Sequence, residues 1–253
     1  MTSLATLLEG LVELTEQAGR IALEARSRMT SDLKADGSIV TTADREVESH
    51  FRSTLPALLP GAAIWGEEEG YAEPGPEGLW LIDPIDGTSN YSFGVPLWGV
   101  TVGLYAEGAC RMGAVSMPEF DLLFAASLGQ GATLNGKALP PIQSGPIQRH
   151  ELVGHADDEP GVFADFPGKP RHLGAFVAEA MYVASGKFRA MTSTKCKLYD
   201  AAGSLVVLRE LGAEIRHADG RPFVDSEWVR PVPCEPFAVL PPGSGLLHGR
   251  ENY

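Results

Sequence analysis

The sequence predicts a mixed α/β fold in which helices and sheets alternate in blocks. Three observations carry that reading. Apolar residues recur at helical spacing over residues 4–25, three short strand-forming runs follow one another between 98 and 128, and two more helical patterns lie near 174–184 and 201–211. These blocks fit either a layered α/β arrangement or a generic α+β protein.

In chain order, Leu4, Leu7, Leu8, Leu11, Val12, Ala18, Ile21, Ala22 and Ala25 define a long amphipathic helix. Thr41 and Asp44 fit a capping box opening a second helix through Val47, Phe51 and Leu55. Ile64 and Trp65 form a short apolar run that reaches Gly66 and three glutamates, as a strand end does. Residues 79–82 are a buried-strand candidate, and Pro84 is predicted to stop its ladder by removing a donor. Runs at 100–105, 111–117 and 122–127, separated by Glu107-Gly108 and Pro118-Glu119, make an antiparallel meander. A helix over 174–184, a short strand over 186–190 and a helix over 201–211 complete the series, with Asp200 at the last helix's N-terminus. No repeat or low-complexity segment interrupts it, and Pro140-Pro141 and Pro241-Pro242 read as loop punctuation.

At 253 residues and 44% hydrophobic, the chain can bury a substantial core, as one large domain or two closely packed ones divided near 145. A net charge of −13 argues against nucleic-acid polymers and anionic membranes as partners. A small anionic substrate stays compatible with it through bound metal. Cys110, Cys196 and Cys234 are odd in number and widely spaced, which predicts a reducing, cytoplasmic setting. No targeting segment or membrane-spanning run is evident.

The run from Trp80 to Thr88 carries the most chemistry. Asp83 and Asp86 crowd two carboxylates at a strand end, where like charges and lost hydration call for a cation. Gly87 permits close backbone approach to a ligand, and Thr88 offers a hydroxyl and a main-chain donor. Taken alone the run also fits a surface turn, Glu67 to Glu69 a solvated acidic turn, and Asp200 or Asp44 a helix cap.

Together, Gly66-Glu67-Glu68, Asp83-Pro84-Ile85-Asp86-Gly87-Thr88, Tyr199-Asp200-Ala201-Ala202-Gly203 and the segment Asp36-Gly37-Ser38 with Val40 to Asp44 resemble the inositol monophosphatase family. That family belongs with fructose-1,6-bisphosphatases, histidinol-phosphate phosphatases and 3′-phosphonucleotide phosphatases. The order and spacing agree from about Leu4 to Phe223, with Tyr199 where the family more often has Trp. The region 151–169 and the tail after Asp225 are short for such an enzyme. The resemblance implies a layered α-β-α-β-α sandwich with mixed and antiparallel sheets, one catalytic unit over 1–253, and the possibility of a homodimer. It implies a Mg²⁺-dependent phosphomonoesterase for a small polyol or sugar phosphate such as inositol monophosphate. Alternatives are a bisphosphorylated sugar, histidinol phosphate or a 3′-phosphonucleotide, or, in another class, a non-catalytic sensor.

By the same resemblance, Glu67, Asp83 and the carbonyl of Ile85 would hold one Mg²⁺, and Asp83, Asp86 and Asp200 a second. Oxygen donors without His or Cys suit that ion. Asp44 and Thr88 would orient the attacking water, Glu67 would join them as a catalytic residue, and the N–H groups of Gly87 and Thr88 would bind phosphate. Aligned without gaps to the animal enzymes, Ser193 stands where those have a glutamate that meets the inositol hydroxyls, which predicts broad or shifted specificity. Arg189, Lys195 and Lys197 form a basic cluster before Asp200, read either as a solvated loop or as a contact for a second anionic group.

Overall fold

A computed structural model describes residues 3–35, 37–156, 161–163 and 166–247. The first half runs α1 (Leu4–Ala25), β1 (Ser31–Leu33), β2 (Ile39–Thr41), α2 (Thr42–Leu58), β3 (Ala63–Gly66), β4 (Leu79–Asp86) and α3 (Thr88–Phe93). The meander follows as β5 (Gly99–Ala106), β6 (Ala109–Met117), β7 (Leu122–Ser127), β8 (Ala132–Leu134) and β9 (Lys137–Ala138). Then come β10 (Leu152–His155), β11 (Lys169–Arg171), α4 (Phe176–Ala184), β12 (Ala190–Ser193), α5 (Leu198–Glu210), β13 (Glu214–His217) and β14 (Phe237–Leu240).

Strands β3 to β9 form a seven-stranded sheet in sequence order, and β11-β10-β12-β14-β13 a five-stranded mixed one; β1 and β2 pair apart from both. Side chains alternate across β4. Trp80 and Ile82 meet the apolar stripes of α1 and α2, including Leu11, Ala18, Val47 and Phe51. Leu79 and Leu81 face α4 and α5 on the opposite side. The far side of α4 and α5 packs on Phe237 and Val239 of the five-stranded sheet, so α5 is buried almost all round instead of showing one apolar face.

The layering is the one the family resemblance implies, with a difference at its outer edge. Among the described residues the outer face of the second sheet, at Val153, Ala190, Ala238 and Leu240, is covered by Ile147, Leu247 and Phe163 of a single 3₁₀ turn, Gly161–Phe163, and no α-helix lies there.

Two local expectations change. Strand β4 does not stop at Pro84 but continues to Asp86. Its parallel partner β3 ends opposite Ile82, while β5 continues to pair with it, with a register shift between Asp83 and Asp86. Proline is therefore accommodated at a bulge with one free edge, where a missing N–H breaks no ladder bond. The strand expected over 186–190 lies instead at Ala190–Ser193. The N–H groups of Lys187 and Phe188 donate to Tyr182 O, wrapping that segment around the end of α4 until Ala190 pairs with Val153.

Helix α5 lies close enough to the large sheet that no side chain fits at Gly203. A Cβ on Gly203 would fall 2.5 Å from Thr101 Oγ1 and 2.8 Å from Val102 O. Replacing a helical glycine by alanine normally gains about 1 kcal/mol, whereas overpacking costs about 1–3 kcal/mol. Because the opposing atoms include backbone, the second effect wins. Gly203→Ala is expected to lower the urea midpoint, and an unchanged or higher midpoint would show that α5 can move off the sheet.

Candidate active site

Strands β3 and β4 run parallel and in register, so the acid just after β3 and those in the last residues of β4 become neighbours. Glu67 N donates to Ile82 O at 3.1 Å, setting Glu67 beside Asp83. Asp200 arrives on the first turn of α5. The preceding Tyr199 packs edge-on against Trp65 of β3, with ring centroids 5.5 Å apart. Asp86, at the end of β4, accepts a 2.6 Å hydrogen bond from Val177 N in the first turn of α4. Asp44 enters from the first turn of α2. The structure thus brings together Asp44, Glu67, Asp83, Ile85, Asp86, Gly87, Thr88 and Asp200.

The alternatives of cap and site residue merge at Asp44. Its Oδ2 accepts from Thr41 N at 2.7 Å and from Thr41 Oγ1 at 2.6 Å, completing the capping box. Its Oδ1 remains for Thr88, whose Oγ1 lies 3.3 Å away and 2.9 Å from Ile85 O. One hydroxyl proton cannot serve both acceptors at once, so it can switch between them while a lone pair accepts from elsewhere. Asp200 behaves alike: Oδ2 caps α5 by accepting from Lys197 N at 2.6 Å. Gly87, at φ 84°, makes the turn between β4 and α3, and a Cβ on it would lie 2.7 Å from Ala175 Cβ.

Crowding shows in the ionisation of the acids. Burial, then the charges of Glu67, Asp86 and Asp200, push the Asp83 carboxyl well above the ordinary carboxylate range. Burial with Glu67 and Asp86 does the same to Asp200, although the Lys197 N–H and ammonium oppose it. Asp44 rises to about 6, chiefly through burial, and Glu68 to about 7 for the same reason. Among the described residues no three carboxylate, imidazole or thiol groups converge as they stand on a single ion position. The acids turn instead to separate backbone donors, Asp83 Oδ1 to Ile85 N at 3.1 Å and Asp86 and Asp200 as above.

Two residues absent from the sequence reading complete the site. Lys34, after β1, places its ammonium 2.9 Å from Glu67 Oε1 and 2.7 Å from Glu68 Oε1. Burial works to lower its pKa, but the two glutamates outweigh burial and raise it. Glu48, fully buried on α2, accepts from Glu68 N at 2.8 Å and Glu69 N at 3.0 Å, and from Arg52 Nε at 2.9 Å. A Cβ on Gly66 would lie 2.1 Å from Glu48 Oε1, so this glycine makes room for the carboxylate that holds the glutamate turn. A signal for Glu48 exists in the sequence. It is the four-residue spacing of Asp44, Glu48 and Arg52, which puts an acid on the buried face beside Val47 and Phe51.

The specificity candidates separate. Ser193 is buried at the end of β12, Lys195 is exposed, and Lys197 sets its Nζ 3.0 Å from the Tyr199 hydroxyl, near Asp200. Arg189 leaves the basic cluster: its guanidinium donates to Gln143 O at 2.5 Å and Gly145 O at 3.2 Å and pairs with Glu151 at 3.1 Å. Lying at the start of β12, it is committed to clamping that loop.

Acids gathered at one end of a sheet, beside a glycine turn and a helix-capping carboxylate bonded to a threonine hydroxyl, define with this layering a phosphoric monoester hydrolase. The chain belongs to the inositol monophosphatase family, whose pattern it matches over residues 3–235. It is 31% identical over 219 residues to a histidinol-phosphatase of Chlorobaculum parvum, covering 81% of this chain and 83% of that protein. It is 30% identical over 244 residues to a fructose-1,6-bisphosphatase/inositol-1-monophosphatase of Aquifex aeolicus, covering 88% and 86%. Among solved structures, an IMPase/NADP phosphatase complexed with Mg²⁺ and phosphate superposes with a TM-score of 0.78 at 22% identity, covering 90% of this chain and 87% of that one.

Asp83→Asn removes a charge at almost constant volume, and its effect on stability has a defined sign. Folding raises this carboxyl's pKa, so folding takes up a proton and stability falls as pH climbs from the ordinary value through the raised one. In chelator, Asp83→Asn is therefore expected to melt above the unaltered protein at pH 8, with the gap closing toward pH 4. Paired melts across that range check it, and a variant that melts lower at pH 8 would contradict the buried-charge account.

Proposed function

We propose that this chain is a Mg²⁺-dependent phosphomonoesterase acting on small polyol or sugar phosphates without strict preference for inositol. The observation that carries the reading is the pair of hydrogen bonds from Thr88 Oγ1 to Asp44 and Ile85 O beside the carboxyls of Asp83 and Asp200, both raised by burial and by the charges of Glu67 and Asp86. The donor set fits a hard divalent cation: it is all oxygen, and acids that repel and raise one another are relieved by positive charge. Glu67, Asp83, Ile85 O, Asp86 and Asp200 would hold it. When bound, Mg²⁺ supplies positive charge that polarises phosphoryl oxygens and lowers the pKa of an attacking water.

The chain's own groups supply the rest. The N–H groups of Gly87 and Thr88 hold the phosphate at the start of α3. Thr88 Oγ1 orients the attacking water and passes its proton to Asp44, which is ionised at neutral pH with a pKa of about 6. The leaving oxygen takes a proton from solvent, giving an alcohol and inorganic phosphate. Lys34 would give up Glu67 as the cation arrives. Helices α4 and α5 pack on both sheets, which supports one catalytic unit. Three free, buried cysteines and a chain in which no described helix is long and apolar enough to cross a membrane are compatible with a reducing cytoplasm.

Thr88→Ala is expected to lower kcat about 100-fold or more, with Thr88→Ser restoring most of it and neither variant shifting the melt by more than a few degrees. Steady-state kinetics in saturating Mg²⁺ check this, and a Thr88→Ala variant with near-normal kcat would remove the hydroxyl from the reaction.

Substrate breadth rests on the alignment that sets Ser193, short, uncharged and buried at the end of β12, where the animal enzymes have a glutamate that meets the inositol hydroxyls. Phosphate release from inositol, glycerol, sugar, histidinol and nucleotide phosphates, each with and without Mg²⁺, should give kcat/KM values for inositol, glycerol and sugar monophosphates within about tenfold of one another. A strong preference for inositol or histidinol phosphate, or Mg²⁺-independent release, would overturn the reading. If exposed Lys195 or Lys197 reaches a second anionic group, alanine there raises KM for a bisphosphate more than for a monophosphate.

A further inference from the structure

The corner between β11 and α4 contacts the candidate site at three points, yet it carries none of the acids. Leu173 O accepts from Asn90 Nδ2 at 2.7 Å, on the helix that starts at Thr88. Ala175 walls the Gly87 turn, where a Cβ would be 2.7 Å away. Val177 N donates to Asp86 Oδ2 at 2.6 Å. Within five residues, 173–177, this corner touches the segment that contains Asp86, Gly87 and Asn90. Its own position is therefore felt directly by the site.

One buried acid fixes that corner. Glu179 lies on α4 with no exposed surface, among Phe176, Val177, Ala180 and Met181. Its Oε1 accepts from Leu173 N at 2.8 Å and lies 4.0 Å from His172 Nδ1. Across the second sheet, Gly154 of β10 makes room for it, since a Cβ there would stand 2.7 Å from Glu179 Oε2. An aliphatic side chain of similar size would fill this apolar space without bringing a carboxylate out of water, so packing alone does not account for an acid at 179.

We propose that Glu179 is a positioning residue for the phosphatase reaction: through Leu173 N it sets the β11–α4 corner, and through the corner it aims Asp86 and shapes the Gly87 turn. The inference rests on the reading of Asp86 as a cation ligand. Partners that orient ligands typically change metal affinity about 10–100-fold when removed.

The test uses the full chain with Glu179→Gln, Glu179→Leu and Gly154→Ala, read by thermal melting, calorimetric titration with Mg²⁺, and kcat and KM on glycerol phosphate. Glutamine keeps an oxygen for Leu173 N, and Glu179→Gln is expected to retain Mg²⁺ affinity and kcat within about threefold. Glu179→Leu is expected to melt near or above the unaltered protein, bind Mg²⁺ at least about tenfold more weakly, and lose kcat more than it gains in KM. Gly154→Ala leaves the acid in place but displaces its carboxylate, so it should move Mg²⁺ affinity and kcat in the same direction even if Glu179→Leu fails to fold. Normal Mg²⁺ binding in the unaltered chain together with equally normal binding and kcat in the folded variants overturns the inference alone. An unaltered chain that binds no Mg²⁺ overturns the cation reading and the inference with it.

Discussion

Carboxylates crowded at the ends of two parallel strands are the constraint around which this protein is organised. Glu67 and Asp83 are adjacent because β3 and β4 run in register, and the fold adds Asp86 and Asp200 to them. Such a group is costly in a folded chain, and the compensation visible in the structure is largely backbone. The first turns of α2, α4 and α5 all point at the site, each spending an N–H or a capping bond on an acid. The positive ends of three helices therefore face the negative cluster, offsetting part of its charge. Lys34 contributes a full positive charge in contact with Glu67 and Glu68.

Holding those helix ends in place requires close approach, and small residues provide it. Gly203 lets α5 settle onto Thr101 and Val102, which brings Asp200 to the sheet end. Gly66 makes way for Glu48 on α2, so the helix that carries Asp44 also grips the turn that carries Glu67. Asp44 and the glutamate turn are thereby one mechanical unit. The edge-on contact of Tyr199 with Trp65 joins α5 to the same strand end.

Relatives of this chain are named for different phosphate esters, among them histidinol phosphate and fructose-1,6-bisphosphate. The layered fold and the acid cluster therefore do not by themselves select a substrate. Selection falls to groups around the cluster. Beside the cluster this chain places the ammonium of Lys197 against Tyr199 and the corner at 173–177.

The sequence by itself determined the elements whose cause is local. The amphipathic stripe of α1, the Thr41–Asp44 capping box and the meander each depend on residues a few positions apart, and each formed as read. It also placed Asp44, Glu67, Asp83, Asp86, Thr88 and Asp200 in motifs that resemble those of the family. Only the tertiary structure decided what depends on partners remote in sequence. Pro84 stays in its strand because β3 ends beside it, and α5 hides its periodicity because two sheets bury both its faces. Arg189 proved a loop clamp, and Lys34, Glu48 and Glu179 became part of the site's support, because a buried ion pair or capped corner is made by contacts that no local pattern encodes. Periodicity reports which face of an element is apolar, whereas the partner that a buried charge finds there is set by how the layers meet.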